Sequence, residues 1–395
     1  MTVEMLRLRE ERSTQQASVI LGTPSPRINS LDSLRGLAAM TVMFHHYLLV
    51  YPSIYPYGQP NIPQVSTLLQ FTPLHLLWAG YEAVLLFFVL SGFVLSLPYW
   101  KHNRFDYGPF ILRRWARVWI PYIIAVSLAA LVALPLARLA VPGLSVWFGW
   151  GWEHPSIDAY LNHVLLIGNL DSNSYGTQFL PVVWSLRYEM IASLAFPVLL
   201  FITRTIAWPW VLLLGVALNA VSQLYPASGS FRPLQYILMF LVGILLARHK
   251  DHLIARFTAF PRTASVPLLA LALVLYLCTW FGWHQDRHRI EVVLLDSGIT
   301  AGAALAIIIA LGSRTANRLL SWRPIAWLGK VSYSIYLMHT LVLLTVVHLL
   351  GRSLPIWPLL LACVPLTLLV SWGFYTWVEV PAIRLGRRLS SRTYL

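Results

Sequence analysis

Apolar residues run along this chain in long continuous stretches rather than at the spacing of a half-buried strand or a surface helix. Ten stretches approach the roughly 20 residues that cross a bilayer as a helix. They are about 34–51, 76–98, 116–138, 182–203, 206–225, 233–248, 264–283, 292–312, 331–350 and 357–378. The stretch 233–248 is short, and 206–225 follows its predecessor after a two-residue break. No period-two alternation suggests a barrel, and no solenoid repeat is present. The pattern predicts an all-α polytopic membrane protein of about ten transmembrane helices. It has an N-terminal tail 1–30, a transmembrane domain 31–380 and a basic C-terminal tail 381–395.

Composition turns this pattern into a statement about solvent. Hydrophobic residues make up 57% of the 395 residues and charged residues 11%, about half the usual soluble share. So few charges exclude a soluble enzyme, a coiled coil and a disordered chain. The net charge of +14 on a soluble protein would suggest nucleic acid; beside apolar spans it reads first as topology. With the N-terminus inside, 23 of the 29 Lys and Arg fall in cytoplasmic segments and four in external loops. Arg138 and Arg187 lie in or beside spans. This split predicts an even number of spans with both termini cytoplasmic. The first 30 residues lack the apolar core of a signal peptide. Cys278 and Cys363 form neither a disulfide framework nor a metal spacing.

Two external loops stand out. Residues 52–75 hold no Lys or Arg, and 142–181 carry Trp147, Trp150, Trp152, Asp158, Asn162, Asn169, Asp171 and Asn173, with His154 and His163. Tyr160–Leu170 is apolar but too short to span, as a re-entrant or interfacial helix would be. Aromatic and amide groups there suit a sugar, or an aromatic belt at the lipid boundary.

Ionisable groups at membrane depth are costly, so each is a functional candidate. Arg35 and His46 lie eleven residues apart on the first span. At 100° and 1.5 Å per residue they share a face about 16 Å apart. His45 is rotated off that face. Glu82 opens the second span, which continues through Phe87 to Ser91-Gly92; the Ser-Gly step reads best as a close helix approach. Trp184, Ser185, Arg187 and Glu189 open the fourth span, with Ser185 and Glu189 on one face. Ser332, Tyr336 and His339 make a polar stripe on the ninth. Asp296, in the eighth, has no evident partner. Arg113, Arg114 and Arg117 precede the third span, the last two on one face. Arginine forks suit phosphates, and positive-inside topology accounts for such arginines equally well. Internal salt bridges and helix-to-helix hydrogen bonds are the structural alternative for the intramembrane groups. No Gly-x-Ser-x-Gly elbow, P-loop or His-Glu-x-x-His occurs.

Five blocks, in order, carry a family resemblance. They are Leu31-Asp32-Ser33-Leu34-Arg35 with His46 completing Arg-x10-His, Phe87 to Phe93, and Arg114-x2-Arg117 followed by Pro121-Tyr122. Trp184-Ser185-Leu186-x2-Glu189 and Ser332 to His339 complete the set. In these the chain resembles the acyltransferase-3 family of integral membrane acyltransferases over about residues 30–340. One departure is Leu85, where many members carry an acidic residue; Glu82 lies three positions earlier. The sequence ends 17 residues after the last span. It is therefore expected to be a stand-alone member without a C-terminal serine-hydrolase-like domain.

The resemblance implies transfer of an acyl group, often acetyl, from cytoplasmic acyl-coenzyme A to a hydroxyl of a glycan, a lipid-linked sugar or a small natural product. Acyl-coenzyme A is then a donor substrate, with no permanently bound cofactor and no metal, in a bacterial inner membrane and without nucleic acid. Arg35, Arg113, Arg114 and Arg117 are expected at the coenzyme phosphates, and His46 as general base or transient acyl carrier. Glu82 or Glu189 would orient His46, while Ser91, Trp184, Ser185, Ser332, Tyr336 and His339 would line the pocket. A proton-coupled transporter or flippase, or an acyl relay to a separate transferase, are the rival classes. The acceptor, the acyl length and any homo-oligomer are left open.

Overall fold

A computed structural model describes residues 28–54, 68–102, 105–139, 141–150, 152, 155–165, 179–225, 231–261, 263, 265–280 and 288–392. Expectations for the tail 1–27, for His154, and for Asn169, Asp171 and Asn173 lie outside these residues, as do residues 166–170 of the expected interfacial helix. Among the described residues the fold is all-helical, without a strand.

Helices α1 (Asn29–Leu48), α2 (Gly80–His102) and α3 (Tyr107–Leu136) are followed by two short ones, α4 (Val146–Trp150) and α5 (Ile157–Val164). Next come α6 (Val183–Leu194), α7 (Phe196–Thr205), α8 (Trp208–Leu224), α9 (Arg232–Ala259) and α10 (Ser265–Tyr276). The chain then runs through α11 (Arg289–Gly312), α12 (Arg314–Leu320), α13 (Arg323–Leu350) and α14 (Ile356–Phe374). A π-helical turn, Tyr375–Glu379, joins α14 to α15 (Val380–Arg392).

A helix occupies each of the ten apolar stretches, but they are unequal. Five are long and apolar enough to cross a membrane: α2, α3, α11, α13 and α14 with its continuation. The pair α6–α7, bent by 59°, makes a sixth if its halves form one span. Pro197 opens α7 at the bend, where its missing N–H and fixed φ interrupt the preceding helix. α1 falls outside this set because it carries Asp32, Arg35, His45 and His46. α9 does so because its apolar part ends at Arg248, His249, Lys250 and Asp251. α8 and α10 have 17 and 12 residues, short of a 30 Å bilayer core at 1.5 Å per residue. Leu131, Leu134, Phe201, Trp210, Leu361 and Leu369 project from the exterior. Apolar groups cover the outside of a bundle of apolar helices, so the protein is an integral multi-pass membrane protein.

With lipid outside, burying apolar surface between helices gains little, and small residues set close approaches. A Cβ on Gly36 of α1 would lie 2.6 Å from the Leu328 carbonyl carbon of α13, and one on Gly329 would lie 2.6 Å from the Asp32 carbonyl carbon. A Cβ on Gly92 of α2 would come 3.0 Å from backbone atoms of Phe240 in α9, and one on Gly243 2.7 Å from the Phe93 nitrogen. Gly92 therefore serves the close approach that the Ser-Gly step suggests. α2 and α13 are largely buried at the centre, and α14 is peripheral.

A methyl group at either glycine of the α1–α13 crossing meets backbone, which cannot rotate away. Gly36→Ala is expected to destabilise the purified protein by about 1–3 kcal/mol, read as a lower thermal midpoint in detergent. Gly108→Ala, with nothing within 4 Å of its Cβ, should show no such loss.

Candidate active site

Two neighbouring cavities, which share Arg35 and Ser332 in their walls, lie towards the basic end of the bundle. The outer one, about 220 Å³, is walled by the starts of α1 and α13, the last turns of α2, Arg117 of α3, and the π turn and α15. Its charged lining is Arg35, Arg117, Lys330 and Arg387 with Asp32 and Glu379. Arg35 and Ser332 also line a narrower cleft of about 30 Å³ with Phe87, Ser185, Glu189 and Tyr336. That is room for one or two waters, so a thioester arm enters only if the cleft widens.

Glu189 anchors the cleft wall. Its Oε1 accepts hydrogen bonds from Ser91 Oγ (2.8 Å) and from the Arg114 guanidinium. Arg114 Nε donates to Ser193 Oγ (3.0 Å), which donates to the Glu189 carbonyl (2.7 Å). α2, α3 and α6 are thus joined at one carboxylate. Arg114, 7% exposed, is committed to this pair. Arg113 is exposed and reaches Ser390 of α15 (3.3 Å). Arg204 and Arg248, at the same end, bond to Tyr99 and to the Thr203 carbonyl. By contrast, the side chains of Arg35, Arg117, Lys330 and Arg387 make no hydrogen bond or salt bridge among the described residues, and the Arg35 Nε is buried without a partner.

At the deep end of the α1 stripe, His46 meets His339 of α13, with His339 Nε2 3.1 Å from His46 Nδ1. The Nδ1 atoms also face backbone carbonyls four residues earlier, Val42 for His46 and Ile335 for His339, each at 2.9 Å. A carbonyl only accepts, so both neutral rings carry their proton on Nδ1. The His46 N–H is then shared with the His339 Nε2 lone pair, and the His46 Nε2 keeps its own lone pair. Trp147 of α4 packs on the His46 ring, centroids 5.3 Å apart. Tyr336, bonded to Ser185 at 2.5 Å, stands between the cleft and the His339 ring, 6.0 Å away.

The expected carboxylate at His46 is not there. Among the described residues no carboxylate contacts this histidine; His339 does. Glu82 lies buried 3.9 Å from His75, on the side of His45, which stacks on Trp78. The reason is rotational: His45 and His46 point to different neighbours, and α2 approaches the His45 face, its Gly80 against that ring. Trp184 sits beside the cleft, in an aromatic group with Tyr188 and Tyr236. Asp296 gains the partners the sequence did not name: Tyr81 (2.7 Å), Gln235 (2.9 Å) and Asn219 (3.1 Å).

The family described as an acyltransferase domain matches residues 28–376, from the start of α1 into the π turn. The chain belongs to this acyltransferase family. Among its relatives, acyltransferase MdmB of Streptomyces mycarofaciens is 27% identical over 92% of this chain and 93% of that protein. The putative peptidoglycan O-acetyltransferase YrhL of Bacillus subtilis (strain 168) is 26% identical over 92% of this chain but 56% of its own length. O-acetyltransferase PaAT-1 of Phomopsis amygdali is 31% identical over 32% of this chain and 27% of that protein. No solved structure matches. The acyltransferase is an O-acyltransferase, and the arrangement above belongs to its membrane domain.

Sequence reasoning missed Lys330, Glu379 and Arg387 in the outer cavity of the acyltransferase. Lys330 lies two residues before the Ser332–His339 stripe, a signal that was available. Arg387 sits among like-charged neighbours and carried none.

The Arg114–Glu189 pair should be structural in its energetics. Arg114→Ala leaves a buried carboxylate without its counter-charge and is expected to cost about 3–5 kcal/mol. Arg114→Ala with Glu189→Ala should cost less than the two single losses together, measured as a double-mutant cycle of thermal stability.

Proposed function

We propose that the protein transfers an acyl group, acetyl first among candidates, from cytoplasmic acyl-coenzyme A to a hydroxyl on a glycan, lipid-linked sugar or small molecule. In this reading the chain crosses the inner membrane with both termini inside and its basic end facing the cytoplasm, which the distribution of Lys and Arg supports. The observation that carries this reading is the division among the cations. Arg114, Arg204 and Arg248 are bonded within the protein. Arg35, Arg117, Lys330 and Arg387 face an open cavity, which adjoins a narrow cleft bounded by Tyr336. Guanidinium forks without protein partners suit phosphate oxygens. Once the cleft widens, the pantetheine arm follows the α1 stripe, and its extended length is comparable to the ~16 Å from Arg35 to His46.

His46 Nε2 is the general base. It takes the acceptor hydroxyl proton as the oxygen bonds to the acyl carbon and the carbon–sulfur bond breaks. It then returns that proton to the leaving thiolate, so atoms and charge balance without a metal. His339 holds the His46 tautomer in place of the triad carboxylate. Trp147 covers the base on the side where the acceptor arrives.

Purified protein given radiolabelled acetyl-coenzyme A and extracted surface glycans or lipid-linked sugars should yield labelled acceptor. Mass spectrometry of those fractions with and without the gene identifies the acyl group and the acceptor together. His46→Ala should lower transfer by about 10²–10⁴-fold while the protein still inserts and folds; a fully active variant would sink the assignment.

A further inference from the structure

Helix α15 lies beyond the residues that the acyltransferase family matches, which end at 376. It reads from the sequence as a basic tail. In the structure it forms a wall of the outer cavity through Ile383 and Arg387. A Cβ on Gly386 would come 2.8 Å from the Ala116 Cβ of α3, so the two helices touch at this point. The neighbours of the two contact residues are Arg387 and Arg117, and both line the cavity. The docking therefore brings two guanidinium groups to one space that already holds Arg35 and Lys330. Two carboxylates, Asp32 and Glu379, offset two of the four positive charges. Like charges gathered in one cavity repel unless an anion lies between them, and the buried, unpartnered Arg35 Nε offers that anion a hydrogen bond.

We infer that α15 completes the donor site, with Arg387 and Lys330 binding the phosphate-bearing end of the coenzyme. This rests on the acyl-coenzyme A reading above and extends it to a segment outside the family domain. Arg387 is exposed, so its replacement leaves the bundle intact. Arg388, exposed on the same helix and outside the cavity, is the control.

The test is equilibrium binding of coenzyme A and of pantetheine to the full-length protein in phosphatidylcholine nanodiscs. Arg387→Ala and Lys330→Ala should each weaken coenzyme A by about tenfold, the loss of one charge-assisted contact, and leave pantetheine unchanged. Arg387→Lys should recover part of the loss, and Arg388→Ala should match the native protein. Unchanged coenzyme A binding in Arg387→Ala, or an equal loss for pantetheine, overturns the proposal. A native protein that binds neither compound overturns the donor reading itself. Adding phosphatidylglycerol separates the two sources of phosphate. If a lipid headgroup is the occupant, it competes with coenzyme A in the native protein but not in Arg387→Ala. Affinity in phosphatidylcholine alone is then equal for both, which also overturns the proposal.

Discussion

The site depends on one backbone contact, the crossing of α1 and α13 at Gly36 and Gly329. Neither position has room for a methyl group. Ten residues beyond each glycine, in the same direction, stand His46 and His339. The two helices therefore run parallel and in register for about 15 Å from the crossing to the histidine pair. A side chain at the crossing would push the helices apart at one end and open the 3.1 Å contact between the rings. In a bilayer little apolar burial compensates such a gap, so the small residues are as much part of the site as the histidines.

The second organising feature is the division of the basic residues between structure and ligand. Arg114 is neutralised by Glu189 and held by Ser193, and this cluster ties α2, α3 and α6 together beside the cleft. Arg117, three residues on along α3, has no such partner and faces the outer cavity with Arg35. The pair separated by one helical turn thus plays two roles: one arginine fixes the wall, the other is available to a phosphate. The π turn at Tyr375–Glu379 adds to this by carrying Glu379 inward to Ser334 (2.6 Å), where it moderates the positive charge.

Much of the fold was legible in the chain. Hydropathy marked every apolar helix, and the Arg35–His46 spacing marked a stripe whose Arg35 end lines both cavities. Span lengths were less legible. Apolar residues continue through the bend before Pro197, so α6 and α7 read as one helix. α9 continues past its apolar part as an amphipathic extension. The polar partners were not legible at all. Asp296 is held by residues from α2, α8 and α9, and His46 by a ring 293 positions away.

The sequence alone determined the solvent, the helical class and the family, because hydropathy, charge asymmetry and ordered blocks are properties of consecutive residues. Only the tertiary structure decided which carboxylate meets which cation, that a second histidine holds His46, and which arginines are left without a partner. Those outcomes depend on the rotation and depth of each helix against its neighbours. Contacts between backbones at a few glycines set both, and no pattern along a single helix records them.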